Sequence, residues 1–122
     1  MLTPYIEFQL HRCRYILHKL VHQASPLHIY YQNLTLLLSD AELNVRYQAF
    51  LAELQKLNEE MSKANRIRDF DTVRDKAQNG VEKARAARRI ASHIDDREVR
   101  RNRLKAIEDI IRDLDKLVEI TR

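Results

Sequence analysis

The strongest pattern in the chain is a series of apolar stripes with helical spacing. Ile6, Leu10, Cys13, Leu17, Leu20 and Ala24 recur at alternating steps of four and three. That spacing puts them on one face of an amphipathic helix. Thr3-Pro4 ahead of the stripe supplies a capping residue and a proline; proline suits a first turn, where its missing N–H would have no intrahelical partner. Leu43, Tyr47, Phe50, Leu54, Leu57, Met61 and Ala64 repeat the four-three spacing strictly, as coiled-coil seams do. Ser39-Asp40-Ala41-Glu42 before it reads as a capping box, a serine cap with a glutamate three residues on.

A third stripe follows a polar link at 65–69. It runs Phe70, Val73, Ala77, Gly80, Ala84, Ala87, Ala91 and Ile94. After its first two members it is made of small residues, which bury little area but let another backbone approach closely. A helix carrying it depends on its neighbours, and Gly80 costs it about 1 kcal/mol relative to alanine. The last stripe is Leu104, Ile107, Ile111, Leu114 and Val118. Extended backwards, its register passes through Arg100 and Arg97, so the apolar face stops near Leu104. Ser92-His93-Ile94-Asp95 resembles another capping box and marks a helix boundary, although one continuous helix also fits the pattern.

One segment departs from these stripes. After a Ser25-Pro26 start signal, Leu27, Ile29, Tyr30, Tyr31, Leu34, Leu36, Leu37 and Leu38 are apolar on nearly all sides. Such a helix is central in a bundle or lies in an interface. Tyr30, Tyr31, Leu34, Leu37 and Leu38 are the candidate protein interface, because a tyrosine can bury its ring while its hydroxyl stays wet. Together the stripes predict an all-α fold: a four- to five-helix bundle with coiled-coil-like antiparallel helices. The expected organisation is a single domain over 1–122, with N-terminal helices in 1–67 and a helical hairpin or one long helix in 69–122.

Composition supports helix over sheet. The 122 residues include one Gly and two Pro, and a β-rich chain would spend more of both in turns. The only Asn-Gly pair, Asn79-Gly80, lacks flanking alternation. A single glycine also excludes Gly-rich phosphate and dinucleotide loops. No run approaches the ~20 apolar residues of a spanning helix. The first residues have neither a basic region nor a small-residue cleavage site, so a cytoplasmic protein is expected. The single cysteine, Cys13, cannot form an internal disulfide, and its place on the first stripe makes it a small core residue.

Charge changes the picture in one place. The chain carries +4 overall, but Lys83, Arg85, Arg88, Arg89, Arg97, Arg100, Arg101, Arg103 and Lys105 face only Asp95, Asp96 and Glu98 in the same segment. That surplus of six leaves −2 for the rest of the chain. These nine bases are the candidate site for nucleic acid or an acidic partner, since arginine pairs bidentately with phosphate and carboxylate alike. The segment has no aromatic residue. Contact with the phosphate backbone is therefore expected rather than base stacking. A solvated face answered by the acids of the last helix is the plainer alternative.

Two small constellations could carry chemistry. His18 and His22 lie four apart, with Glu7 and His11 on roughly the same side. An i, i+4 histidine pair can hold a metal, but neither an HExxH motif nor a second Glu-x-x-His helix accompanies it, so no metal is expected. Arg88-Arg89-Ile90-Ala91-Ser92-His93 resembles the Arg-x4-His motif of the HEPN ribonucleases, a family of small all-α proteins. The resemblance covers six residues and departs from the family in having Arg89 after Arg88. It implies a composite RNA-cleaving site formed across a dimer, with Arg88 binding phosphate and His93 as acid/base.

These patterns predict a non-enzymatic interaction or adaptor protein. It would self-associate or bind a protein partner through amphipathic helices, with no cofactor, membrane or small-molecule substrate. A nucleic-acid-binding accessory protein using 83–105 is the alternative, and a HEPN-like ribonuclease the third.

Overall fold

A computed structural model describes the backbone of residues 2–23 and 38–122, with side chains described for 2–20 and 42–122. Four helices account for nearly all of it: α1 (Leu2–Gln23), α2 (Leu38–Arg66), α3 (Phe70–Ala91) and α4 (Arg97–Ile120). The fold is an all-α helical bundle, as the stripes predict. α1 packs on α2 and α4, and α3 packs on α2 and α4. Asn58 of α2 meets Leu10 of α1, while Asn65 meets Thr3, so this pair is antiparallel. Lys76–Glu60 and Lys83–Glu53 set α3 antiparallel to α2. Arg74 reaching Thr121 and Gly80 lying against Leu114 do the same for α3 and α4.

The stripes form the core. Ile6, Leu10, Cys13, Leu17 and Leu20 of α1 meet Tyr47, Leu54, Met61 and Ala64 of α2. Val73, Ala77, Ala84, Ala87 and Ala91 of α3 and Ile107, Leu114 and Val118 of α4 complete it. Burial pushes the Cys13 thiol up to about 12, with Asp113's charge adding to the effect and Arg12 opposing it. The thiol is thus neutral at ordinary pH and slow to react.

The helix ends correct several expectations. The polar link is only Ile67 to Asp69, because α2 continues through Arg66. Arg68 takes φ 59° while its N–H donates to Asn65 and Asp69 N–H donates to Ala64. That is a Schellman motif with arginine at the position where glycine is usual. Asp69 then caps α3, accepting from the backbone N–H and the hydroxyl of Thr72. The boundary expected near Ser92 is present, so 69–122 is a hairpin rather than one long helix. Ser92, however, closes α3 instead of opening α4. The N-cap of α4 is Asp96, which accepts from Val99 N–H. α1 begins at Leu2, so Thr3-Pro4 sits inside its first turn. α2 begins at Leu38, one residue before the expected Ser39 cap, whose side chain lies outside those described.

Candidate docking surfaces

Tyr30, Tyr31, Leu34 and Leu37 lie outside the described residues, and Leu38 opens α2 with its side chain outside them as well. His22 is likewise beyond the described side chains. Among the described residues no group of three His, Cys, Asp or Glu is placed to hold a metal ion. Of the helices described, none is long and apolar enough to cross a membrane.

The nine basic residues divide by environment. Arg85, Arg88 and Arg89 on α3 and Arg97, Arg101 and Lys105 on α4 are exposed. Among the described residues these six make no ion pair. Lys83 is bound to Glu53 of α2 at 3.1 Å. Arg100 is half-buried and donates to the Ile94 carbonyl at 2.8 Å, which ties it to the α3–α4 turn. Arg103 belongs to the core: it is 8% exposed, and its guanidinium stands 4.5 Å over the Tyr47 ring. Burial works against its charge, and the ring face offers partial compensation by a cation–π contact. Burial also pushes the Tyr47 hydroxyl up to about 12.

The backward extension of the last stripe therefore needs correction. Arg97 is exposed and Arg103 takes the buried position. A four-three stripe leaves two routes back from Leu104 or Ile107, and Tyr47 on a helix remote in sequence decides between them.

Arg88 borders a shallow groove of about 400 Å³ with Glu108, Asp115 and Glu119 of α4. The acids of the last helix thus stand beside one of the exposed arginines. His93 is exposed in the turn after α3, where its N–H donates to Ile90. The helix C-terminus keeps Arg88 within α3 and His93 beyond it.

A second groove, about 410 Å³, runs between α1 and α4. It joins Tyr15, Ile16 and Lys19 to Asn102, Lys105 and Asp109. Asp109 is already paired with Arg112 on its own helix. The groove supplies what the basic segment lacks in sequence, an aromatic ring beside one of its cations.

A third surface lies outside the four inward stripes. Tyr5, Phe8, Arg12, Tyr15 and Lys19 follow steps of three and four along α1, a second heptad pattern displaced from the buried one. The first stripe turns inward, and this one lies on its flank, on the side of α1 that borders α4. Tyr5 is 45% exposed, Phe8 59% and Tyr15 65%. Arg12 leans towards Asp113 of α4, with Nε 3.7 Å from Oδ2. The signal was available in the sequence: five positions at heptad spacing, three of them aromatic. The two cations disguised it as a polar face.

Compared with protein-family models, with curated proteins and with solved structures, the chain matches none of them.

Proposed function

We propose that this protein is a non-enzymatic interaction protein whose docking face is the outer ridge of α1. The observation that carries the reading is the exposure of Tyr5, Phe8 and Tyr15 on one flank of a helix whose inner stripe is buried. Single exposed apolar residues are ordinary, whereas an aligned aromatic set is not. Aromatic side chains bring large contact area at low entropic cost, and they dominate the energetics of protein interfaces. Half-buried Leu2 and Ile16 border the ridge and extend its apolar surface.

The test is association of the purified chain with a protein, either itself or another, in defined stoichiometry. Phe8→Glu should abolish it while leaving the helical circular-dichroism signal intact, because Phe8 makes no part of the core. A wild-type chain that stays monomeric at high concentration and retains no protein on a column rejects the reading.

Nucleic-acid binding is the second reading, favoured by the six exposed cations and by Tyr15 beside Lys105 in the α1–α4 groove. Its signature is salt-dependent affinity for DNA or RNA. Arg97→Glu, Arg101→Glu and Lys105→Glu together should remove that binding. Arg100 is a poor choice for this test, because its guanidinium holds the Ile94 carbonyl. Unchanged affinity in the triple variant excludes the surface.

A further inference from the structure

The groove between α1 and α4 joins three chemistries that neither helix carries alone. Tyr15, 65% exposed, stands on one rim with Lys19, its neighbour one turn on. Asn102 and Lys105, both exposed, stand on the other. Half-buried Ile16 and Ala106 give the groove an apolar bed. Neither lysine makes an ion pair among the described residues. The one acid among the groove's described lining residues, Asp109, is already held by Arg112, so the two ammonium groups set its charge. An open aromatic ring over an apolar bed, with unanswered cations beside it, is what a base and its phosphate require.

The groove is also the end of a track. Lys105, Arg101 and Arg97 follow steps of four along α4, and all three are exposed. Each step is about 6 Å along the axis and slightly more than one turn, so the line crosses the face of α4 obliquely. Its next step after Lys105 is Asp109, which lies in the groove. The cations therefore lead from open surface to the ring.

We propose that the α1–α4 groove binds single-stranded nucleic acid, with one base stacked on Tyr15 and the neighbouring phosphates drawn along Lys105, Arg101 and Arg97. The inference rests on the nucleic-acid reading of the basic segment and adds the form of the ligand and the seat of its base.

The single-stranded form follows from the ring. In a duplex both faces of a base are covered by its neighbours, so a tyrosine stacks only on a base that has left the stack. The groove's volume of about 410 Å³ suits one group of small-molecule size and not a helix. An acidic protein segment would meet the same cations, but it leaves the ring unused and brings a carboxylate towards Asp109. A base edge instead offers an amino group, for which the Asp109 carboxylate and the Asn102 amide oxygen are acceptors. Stacking tolerates any base, so sequence preference should be low.

The test is fluorescence anisotropy with a labelled deoxycytidine decamer at low salt, beside a hairpin duplex of matching length. The wild-type chain should bind the single strand at least about fivefold more tightly than the duplex, the lower end of what one base–aromatic stack contributes. Tyr15→Ala should weaken single-strand binding by at least about the same factor without changing the salt slope, since it removes a stack and not a charge. Lys105→Gln should instead reduce that slope by about 0.7. Both side chains are exposed, so both variants should keep the helical circular-dichroism signal. The chain has no tryptophan, and Tyr15→Trp supplies a sole reporter whose emission a stacked base should quench.

No binding of either nucleic acid overturns the inference together with the nucleic-acid reading beneath it. Equal affinity for strand and duplex, with Tyr15→Ala silent but the triple reversal at Arg97, Arg101 and Lys105 disruptive, overturns the inference and keeps that reading. A Tyr15→Trp chain that binds the strand without quenching overturns the proposed seat of the base. A glutamate decamer that displaces the strand as well as unlabelled DNA does overturns the inference in favour of an acidic protein segment.

Discussion

α1 and α3 both pack between α2 and α4, yet they are held there by different means. α3 approaches its neighbours through Ala77, Gly80, Ala84, Ala87 and Ala91, all buried. The approach is close enough that a Cβ at Gly80 would stand 3.0 Å from Leu114 Cδ1. α1 presents the bulky set Ile6, Leu10 and Leu17 and adds polar clasps to α2. Asn58 Nδ2 donates to the Leu10 carbonyl at 3.3 Å, Asn65 Nδ2 to the Thr3 carbonyl at 3.1 Å, and Arg14 to Ser62 at 2.9 Å.

The contrast teaches that two equivalent-looking corners of a bundle obey different rules. Small residues fix the position of α3 by letting side chains of its neighbours, Leu114 among them, close in on its backbone. Large residues and hydrogen bonds fix α1 at a distance, and its seams hold polar groups. Gln9 Oε1 and Asp113 Oδ2 are buried there without a hydrogen-bond partner among the described residues.

The most direct way to break this comparison is to change size in opposite directions. Leu10→Ala, which empties a site of 0% exposure, should cost about 3 kcal/mol in denaturant unfolding. Ala84→Leu, an enlargement at another site of 0% exposure, should cost about 2 kcal/mol by overpacking. If the enlargement is silent, α3 is not held by close approach.

The clasps come next in size. Asn65→Ala removes a donor to the Thr3 carbonyl and to Glu7 Oε2. A loss of about 1–2 kcal/mol is expected, together with faster hydrogen exchange in the first turns of α1. Exchange that changes equally across all four helices would show that the clasp stabilises the whole bundle and not α1 in particular.

Asp113 sharpens the comparison by a gain. It is 1% exposed, and burial raises its pKa above the ordinary 3.8, with Arg12, Lys116 and Arg112 opposing. A carboxyl that binds its proton more tightly when folded opposes folding once ionised. Its contribution therefore improves as pH falls through the folded pKa towards 3.8, and the penalty is fully present above the folded pKa. Asp113→Asn should stabilise the protein at neutral pH by on the order of 1 kcal/mol and flatten the pH dependence just above 3.8. Lower stability of the variant at pH 7 would mean that the Arg12 contact outweighs burial.

The smallest effect belongs to Gly80→Ala. Helix propensity favours alanine by about 1 kcal/mol, and the methyl must displace the flexible end of Leu114 by a few tenths of an ångström. The two should nearly cancel, leaving a change below about 0.5 kcal/mol in thermal unfolding. A loss several times larger would mean that Leu114 cannot yield.

Much of this architecture was legible along the chain. The inner stripe of α1 and the small stripe of α3 are legible from spacing alone, because burial imposes a 3.6-residue period on any packed helix; the break near Ser92 shows only as a capping-box pattern that also allows one continuous helix. The caps were less legible. Ser92 and Asp96 both precede plausible starts, and only the backbone path shows which one accepts an N–H. Among the candidate sites, the basic segment was visible as a count, but its division was not. Lys83, Arg100 and Arg103 are indistinguishable from the other six in sequence. Each is removed from the free surface by a residue that tertiary contact supplies or a turn exposes: Glu53, the Ile94 carbonyl and Tyr47.

The sequence by itself determined that the chain is helical, where its helices turn inward and that its charge is concentrated in 83–105. Those properties depend on local spacing and composition. Tertiary structure decided which polar groups are buried and which aromatic residues stay outside. Phe8 and Leu10 differ little as apolar residues, and helix phase against α2 and α4 makes one a ridge and the other core. Arg103 and Arg101 differ little as cations, and the ring of Tyr47 draws one inside. Exposure is a property of what else arrives at the same place, and no single segment of the chain carries that information.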